Sequence, residues 1–222
     1  MTKALSIIIP VQNEKSTIAD VIRECFKLDP RAEVVVVANG CSDGSDQIAR
    51  KNGARVIAID ESLGHDTGRS VGARHATGDI FLFIDGDMVV RAEQLKPFVE
   101  RVQLGADIVL NRYDGPVHRQ HIHDVVLAKH VLNAALHRPD LRGWSLCTVP
   151  HAMSRRAAML IGLDKLAVPP LAHAAAVYGG LRVISAPTVP VGKLNPSRSR
   201  RANGDPTGRL MLGDHLEALA WL

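Results

Sequence analysis

The chain has 222 residues and a formal charge of +4, from 27 Lys and Arg against 23 Asp and Glu. A chain of this length buries roughly 70% of its unfolded surface. With 46% hydrophobic and 23% charged residues, it is neither disordered nor fibrous. Aromatic residues make up only 4%, which argues against a single-strand nucleic-acid binder built on stacking platforms, so no nucleic-acid partner is expected.

Leu5 to Pro10 reads as a buried strand. Glu14 to Leu28 follows as a helix, with Ile18, Val21, Ile22, Cys25 and Phe26 at helical spacing and Asn13 or Ser16 as the cap. Glu33 to Ala38 is a β-branched strand, Asp43 to Asn52 a short helix opened by Ser42, and Arg55 to Ile59 a third strand. Thr67 to Ala76 is helical and Asp79 to Ile84 is a fourth strand, which ends in Asp85-Gly86-Asp87. Strand and helix in strict alternation imply a parallel sheet with helices on both faces, and such sheets bind ligands at the carboxyl ends of their strands.

Further along, Ala92 to Leu104 is helical, Asp107 to Leu110 is a strand, Arg112 to His123 is a polar loop and Val125 to Leu136 is again a helix. A strand from Leu146 to Met153, helices at Arg155 to Ile161 and Leu171 to Tyr178, and a strand from Leu181 to Ala186 complete the expected core. Pro, Gly, Asn, Ser and Arg make Pro187 to Gly208 a loop, and Asp214 to Leu222 a closing helix. No repeat or linker divides the chain, so residues 1–222 are expected to form one domain. Three distant cysteines, Cys25, Cys41 and Cys147, suggest neither a disulfide framework nor a thiolate zinc site. The chain runs into its first strand without a leader and has no apolar run near ~18 residues, so the expected location is the cytoplasm, with membrane contact at most peripheral.

The chemistry concentrates at Asp85-Gly86-Asp87. Two carboxylates in one tight turn repel each other, and a hard cation such as Mn2+ or Mg2+ relieves this while keeping sites for water and a pyrophosphate. An Asp-x-Asp triplet alone is more often a plain turn. Here the greasy strand Phe81 to Ile84 delivers it.

Five blocks in order carry a resemblance. They are Ser6 to Pro10 with Asn13-Glu14, then Val34 to Val37 with Asn39 to Ser45, Gly64, Gly72-Ala73-Arg74 with Ala76 to Asp79, and Asp85-Gly86-Asp87. Together they resemble the nucleotide-sugar half of glycosyltransferase family 2. The resemblance covers about 40% of the chain well. It implies a GT-A fold, a Rossmann-like and mainly parallel α/β sheet, with residues 1–90 binding a nucleotide sugar and 91–222 an acceptor. The implied activity is metal-dependent transfer from a nucleoside-diphosphate sugar to an acceptor hydroxyl on a glycan, a lipid-linked or a small molecule.

By the same resemblance Pro10, Asn13 and Glu14 line the nucleoside pocket, and Glu14 accepts a ribose hydroxyl. Asn39 stands where the family often has an Asp that reads uracil, a departure that weighs against uridine although an amide also binds a base edge; UDP is the favoured carrier, with GDP as the other. Asp43 holds the base or the turn, an Asx turn being the local alternative. Gly64 and Arg69 belong to a donor-contacting loop, the guanidinium suiting diphosphate or Asp85. Asp85 and Gly86 contact the donor, while Asp85, Asp87 and a late histidine, His215, are the metal candidates. Arg198, Arg200 and Arg201, in a basic loop spanning residues 190–210, would close over the donor.

The family's general base is missing. A carboxylate pair usually precedes a Gly-x-Arg step by about a dozen residues, but counting back from Gly180-Leu181-Arg182 reaches Val168-Pro169-Pro170. Asp164 and Asp214 are the substitutes, and Asp214 is equally a helix-start carboxylate. His151, in a segment that resembles the acceptor-facing part of the family, is the other catalytic candidate, and Arg142-Gly143-Trp144 lies in the same half. His118, His121 and His123 have only Asp114 and Asp124 near them and suit acceptor contact better than a metal. Two other readings stay open: a non-catalytic nucleotide-sugar-binding module, and a sugar nucleotidyltransferase, whose Gly-rich N-terminal loop Pro10 to Glu14 does not supply.

Overall fold

The computed structural model describes residues 4–64, 66–115, 117, 120–194 and 205–222. Its strands are β1 (Leu5–Val11), β2 (Glu33–Asn39), β3 (Arg55–Ile59), β4 (Ile80–Phe83), β5 (Ile108–Asn111), β6 (His151–Ser154) and β7 (Val183–Ala186). They form one sheet in the order β3-β2-β1-β4-β6-β5-β7. Pairing is parallel except at β6, which runs antiparallel to both β4 and β5.

The helices are α1 (Ile18–Leu28), α2 (Ser45–Lys51), α3 (Thr67–His75), α4 (Ala92–Gln103), α5 (Asp124–Ala135), α6 (Arg155–Ile161), α7 (Pro169–Tyr178), α8 (Val191–Leu194) and α9 (Pro206–Trp221). Side chains alternate across the strands. Ile7, Ile9, Ile80 and Leu82 join the core beneath α1 and α4, while Ile8, Phe81 and Phe83 join the opposite core, which takes in α6 and α7. That is why β1 and β4 read as unbroken apolar runs: both faces are covered. A third, smaller cluster of Leu132, Leu136, Ala174 and Ala218 packs α5, α7 and α9 together.

Two glycines explain how closely α3 lies on the sheet. Gly68 and Gly72 share one helix face, and a Cβ would stand 2.8 Å from the Pro10 Cβ at the first and 2.4 Å from the Ile8 Cγ2 at the second. This approach carries Asp66 and Arg69 to the ends of β1 and β4.

Several boundaries differ from expectation. Helix α1 begins at Ile18 with Thr17 as N-cap and no side-chain cap bond, because Asn13, at φ 60°, turns its carboxamide to the Ser42 backbone instead. Helix α2 starts at Ser45 after a left-handed Gly44. The expected strand from Leu146 narrows to β6: Thr148 N–H donates to Ser145 in a turn, and Leu146 and Val149 are buried without pairing. The expected loop 187–208 contains α8, and α9 opens at Pro206 rather than at Asp214. Asp205 caps it by accepting from Gly208 N–H at 2.8 Å, with Pro206 at the first helical position, where its missing N–H costs nothing. Among the described residues no helix is long and apolar enough to cross a membrane.

Candidate functional site

At the carboxyl ends of β1, β2 and β4 a cleft is lined by Pro10, Val11, Gln12, Glu14, Asn39, Gly64, Asp66, Arg69, Asp85, Gly86 and Asp87. Eight of these were expected from the sequence: Pro10, Glu14, Asn39, Gly64, Arg69, Asp85, Gly86 and Asp87. The chain folds this way because each strand ends in a tight turn. Gly86 sits where a Cβ would stand 2.8 Å from Val11 Cγ2, and its carbonyl accepts the Thr17 hydroxyl at 2.7 Å, which fixes the acidic turn against β1 and the start of α1.

Arg69 organises the charge. It is 6% exposed and shares its guanidinium between Asp66, at 2.8 Å, and Asp85, at 3.4 Å. Burial opposes its charge, but these two carboxylates raise its pKa above the ordinary value. Asp66 was missed from sequence. The available signal was an Asp three residues before an Arg at a helix start, an i,i+3 ion-pair spacing. Asp85, with its side chain 30% exposed, is half neutralised by Arg69 and open to the cleft.

Asn39 anchors the loop around residue 64. Its Nδ2 donates to Gly64 C=O at 2.8 Å and its Oδ1 accepts from Leu63 N–H at 2.8 Å. An aspartate could accept the second bond but could not donate the first, so the amide is the residue this loop conformation calls for. Glu14 is buried at the cleft floor, its N–H donating to Ser45 Oγ at 2.8 Å.

The structure does not bring every expected residue here. Asn13 turns to Ser42, outside the cleft lining. Asp43 accepts from Ser45 N–H and Oγ and from Lys15 N–H. Burial pushes its pKa up, but these bonds outweigh that and hold it below the usual carboxylate range, which is the chemistry of an Asx turn. His151 is 2% exposed, stacked on Phe83 at 4.9 Å, with Nδ1 3.2 Å from Thr148 O. Burial first, and Arg69 second, lower its pKa from 6.5 to about 3. It is a neutral ring inside the sheet layer, so the catalytic role expected of His151 is corrected to a supporting position.

His215 is 1% exposed within α9, its Nδ1 2.6 Å from Met211 O and its Nε2 facing Cys147 Sγ at 3.9 Å. Among the described residues no group of three or more His, Cys, Asp and Glu side chains is gathered as a metal cage, so His215 is not assembled with Asp85 and Asp87. The physical reason is that the early start of α9 turns residue 215 into a packed helix interior. Asp214 is half-buried in mid-helix rather than at a helix start. Asp164 is exposed and pairs with Arg74, and Val168 leads into α7 with prolines at its first turn. Of the loop histidines, His123 caps α5 and contacts Asp205 at 2.8 Å. Arg198, Arg200, Arg201 and His118 lie outside the described residues.

Asp85 and Asp87 both line the cleft and offer it hard carboxylate oxygens. That donor set fits a divalent cation whose remaining ligands are water and phosphate, and does not form a closed protein cage.

The profile of glycosyl transferase family 2 matches residues 6–160. The chain belongs to glycosyl transferase family 2. Curated relatives include the undecaprenyl-phosphate 4-deoxy-4-formamido-L-arabinose transferases of Klebsiella pneumoniae (strain 342), 28% identical over 117 residues (48% of this chain, 36% of the relative), and of Pseudomonas fluorescens (strain SBW25), 29% identical over 129 residues (52% of this chain, 38% of the relative). The chain thus spans little more than a third of those relatives' length.

Among solved structures, glucosyl-3-phosphoglycerate synthase of Mycobacterium tuberculosis, in complex with Mn2+, UDP-glucose and phosphoglyceric acid, superposes with a TM-score of 0.70 at 20% identity, covering 98% of this chain and 80% of that one. Mannosyl-3-phosphoglycerate synthase from Rubrobacter xylanophilus gives 0.69 at 19% identity, covering 99% and 73%. These likenesses establish the shared GT-A architecture of this family 2 chain.

Proposed function

We propose that this family 2 chain transfers a sugar from a nucleoside-diphosphate sugar, UDP-linked in preference to GDP-linked, to an acceptor hydroxyl, with Mn2+ or Mg2+ at Asp85 and Asp87. The observation that carries the reading is the convergence of Pro10, Glu14, Asn39, Gly64 and Arg69 on the same cleft as the acidic turn. The strand ends supply a nucleoside floor and a phosphate end side by side. Support comes from the neighbour crystallised with Mn2+ and UDP-glucose. The curated relatives and the phosphoglycerate synthases also carry phosphate-bearing molecules in their names.

Glu14, at the cleft floor, accepts a ribose hydroxyl. Arg69 holds Asp85 in place and directs its remaining N–H groups toward phosphate oxygens. A bound cation supplies Lewis-acid neutralisation of the departing diphosphate. The acceptor oxygen forms the new bond to the anomeric carbon as the bond from that carbon to the diphosphate oxygen breaks. The electron pair leaves on the diphosphate and the acceptor proton passes to a base. Asp214, half-buried on α9, is the proposed base; His151 backs the sheet end as a neutral ring. Arg198 and Arg201 are proposed to close the donor side.

The absent carboxylate pair before Gly180 favours one rival, a module that binds the nucleotide sugar without turning it over. Melting curves with UDP, GDP and UDP-sugars, with and without Mn2+, combined with product release from a donor panel, decide between them. Stabilisation by UDP with Mn2+ and slow donor hydrolysis supports the transferase. Stabilisation without any turnover supports the module, and no stabilisation by any nucleotide overturns both.

A further inference from the structure

The sheet gives the cleft a direction. The acidic turn follows β4, and the strand order β4-β1-β2-β3 sets the end of β2 two strand spacings, about 10 Å, away from it. With the diphosphate at Asp85 and Asp87, the base lies toward the end of β2, where Asn39 and Gly64 line the cleft. Segment 61–64, which follows β3, is tied down there from three elements. Gln12 Nε2, beyond β1, donates to Ser62 Oγ at 3.1 Å, and Thr67 Oγ1, opening α3, donates to the Leu63 carbonyl at 2.9 Å. Asn39 commits both ends of its carboxamide, Nδ2 to the Gly64 carbonyl and Oδ1 to Leu63 N–H. Gly40, at φ 67°, lets the segment lie close, since a Cβ there would stand 3.1 Å from Ser62 N.

A carbonyl only accepts and a backbone N–H only donates, so the buried Asn39 carboxamide has one orientation and cannot turn over to suit a ligand. Uracil and cytosine differ at N3, which carries a hydrogen in the first and a lone pair in the second, and at the neighbouring exocyclic group, a carbonyl in one and an amino group in the other. A carboxylate at position 39 would accept from N3–H alone and so select uracil. An amide whose N–H and oxygen already face the protein makes no such choice. Pro10 and Val11, which also line the cleft, are apolar. Gln12 is exposed and bonded to a hydroxyl, which donates or accepts, so its amide can turn to serve either base.

We propose that Asn39 is a positioning residue that holds the wall of the nucleotide cleft rather than a reader of the base, and that the cleft takes uridine and cytidine diphosphates alike. This rests on the nucleotide-sugar reading of the cleft and narrows it to a class of carrier. The test is calorimetric titration of UDP, CDP and pyrophosphate, each with Mn2+, into the wild type and Asn39→Asp, a change of nearly equal size that keeps the accepting oxygen and removes the N–H. The wild type binds UDP and CDP within about fivefold of each other, whereas a site that reads a base edge discriminates by far more. Asn39→Asp weakens both about five- to tenfold, the worth of one hydrogen bond, and their ratio stays as it was. Pyrophosphate, which has no base to rest on segment 61–64, binds both proteins equally. Thr67→Val releases the Leu63 carbonyl from the α3 side and weakens UDP and CDP by one common factor, which carries the test should Asn39→Asp not fold.

A wild-type preference above about fivefold for UDP or for CDP, or the appearance of one in Asn39→Asp, means that a side chain reads the base and overturns the proposal. Nucleotide affinity untouched by Asn39→Asp overturns it as well, because the wall then does not depend on the amide. So does a loss of pyrophosphate affinity equal to that of UDP, which marks a general disturbance of the fold. Discrimination between the two bases by a protein that binds nucleotides sinks this inference alone, whereas a wild type with no affinity for either nucleotide sinks the reading of the cleft on which it stands.

Discussion

The donor cleft and the helical half beside it handle charge in different ways. In the cleft, Asp66, Arg69 and Asp85 compensate one another within 3.4 Å, the first two from the start of α3 and the third from the end of β4. Across from it, α5, α7 and α9 bury polar groups that are mostly neutral: Asn133 is fully buried and accepts from His173 Nε2 at 2.7 Å while donating to two carbonyls. One region is built to hold charge and the other to exclude it, with Lys129 on α5, whose Nζ donates to Thr148 Oγ1 at 2.7 Å, the exception on the second side. A reaction that moves a diphosphate needs the first, and a rigid acceptor wall needs the second.

The sharpest way to break this contrast is Arg69→Met. Removing the shared cation leaves Asp66 buried beside Asp85 without compensation, and breaking a buried pair in this way costs about 3–5 kcal/mol. Most of it falls on Asp66, whose side chain is 7% exposed, and less on Asp85 at 30%, where solvent screens the loss. Denaturant unfolding is the measurement. A loss below about 1 kcal/mol would mean that the cluster is ordinary surface electrostatics.

Asp87→Ala separates function from that stability. The variant is expected to melt near the wild type while Mn2+-dependent UDP release falls at least about a hundredfold, in line with the several kcal/mol of charge stabilisation that a bound cation contributes. Unchanged turnover would remove the metal role from the acidic turn. On the neutral side the matching change is Asn133→Ala, which strands two carbonyls and the His173 ring. It is expected to cost about 2 kcal/mol, with turnover altered through the 142–148 segment rather than through metal dependence. A metal titration that shifted in this variant would argue against two separable regions.

The cleft was legible in the sequence because its information is local. β1, β2 and β4 announce themselves as apolar runs; Asn39 closes β2, Gly64 lies in the turn after β3, and Asp85 to Asp87 follow β4. The second half was less legible because its meaning is relational. Leu146 and Val149 look like strand residues but are buried in a turn. The antiparallel course of β6 depends on pairing partners, Phe83 and Ile108 among them, that composition does not disclose. The first turns of α9, before the expected Asp214, were hidden by loop-like composition, although Asp205-Pro206 is a cap followed by a first-turn proline. His215 invited a metal reading by its lateness in the chain, and only the early start of α9 shows that it faces Cys147.

The smallest expected effect tests the neutral region through pH. Burial, followed by the positive fields of His215, Arg138 and Lys129, lowers the His173 pKa from 6.5 to about 3. Between these values the unfolded chain takes up a proton that the native ring refuses, so the unfolded state binds more protons and stability falls as pH falls through this window. Above pH 6.5 neither state is protonated and the effect vanishes. His173→Gln keeps a donor for Asn133 without a titrating ring. Between pH 6.5 and 5.5 the wild type is therefore expected to lose about 1 kcal/mol more than the variant, measured by denaturant unfolding at each pH. His151 is present in both proteins and cancels in the difference. Parallel pH profiles would show that His173 charges within the native fold, and the helical half would then hold charge much as the cleft does.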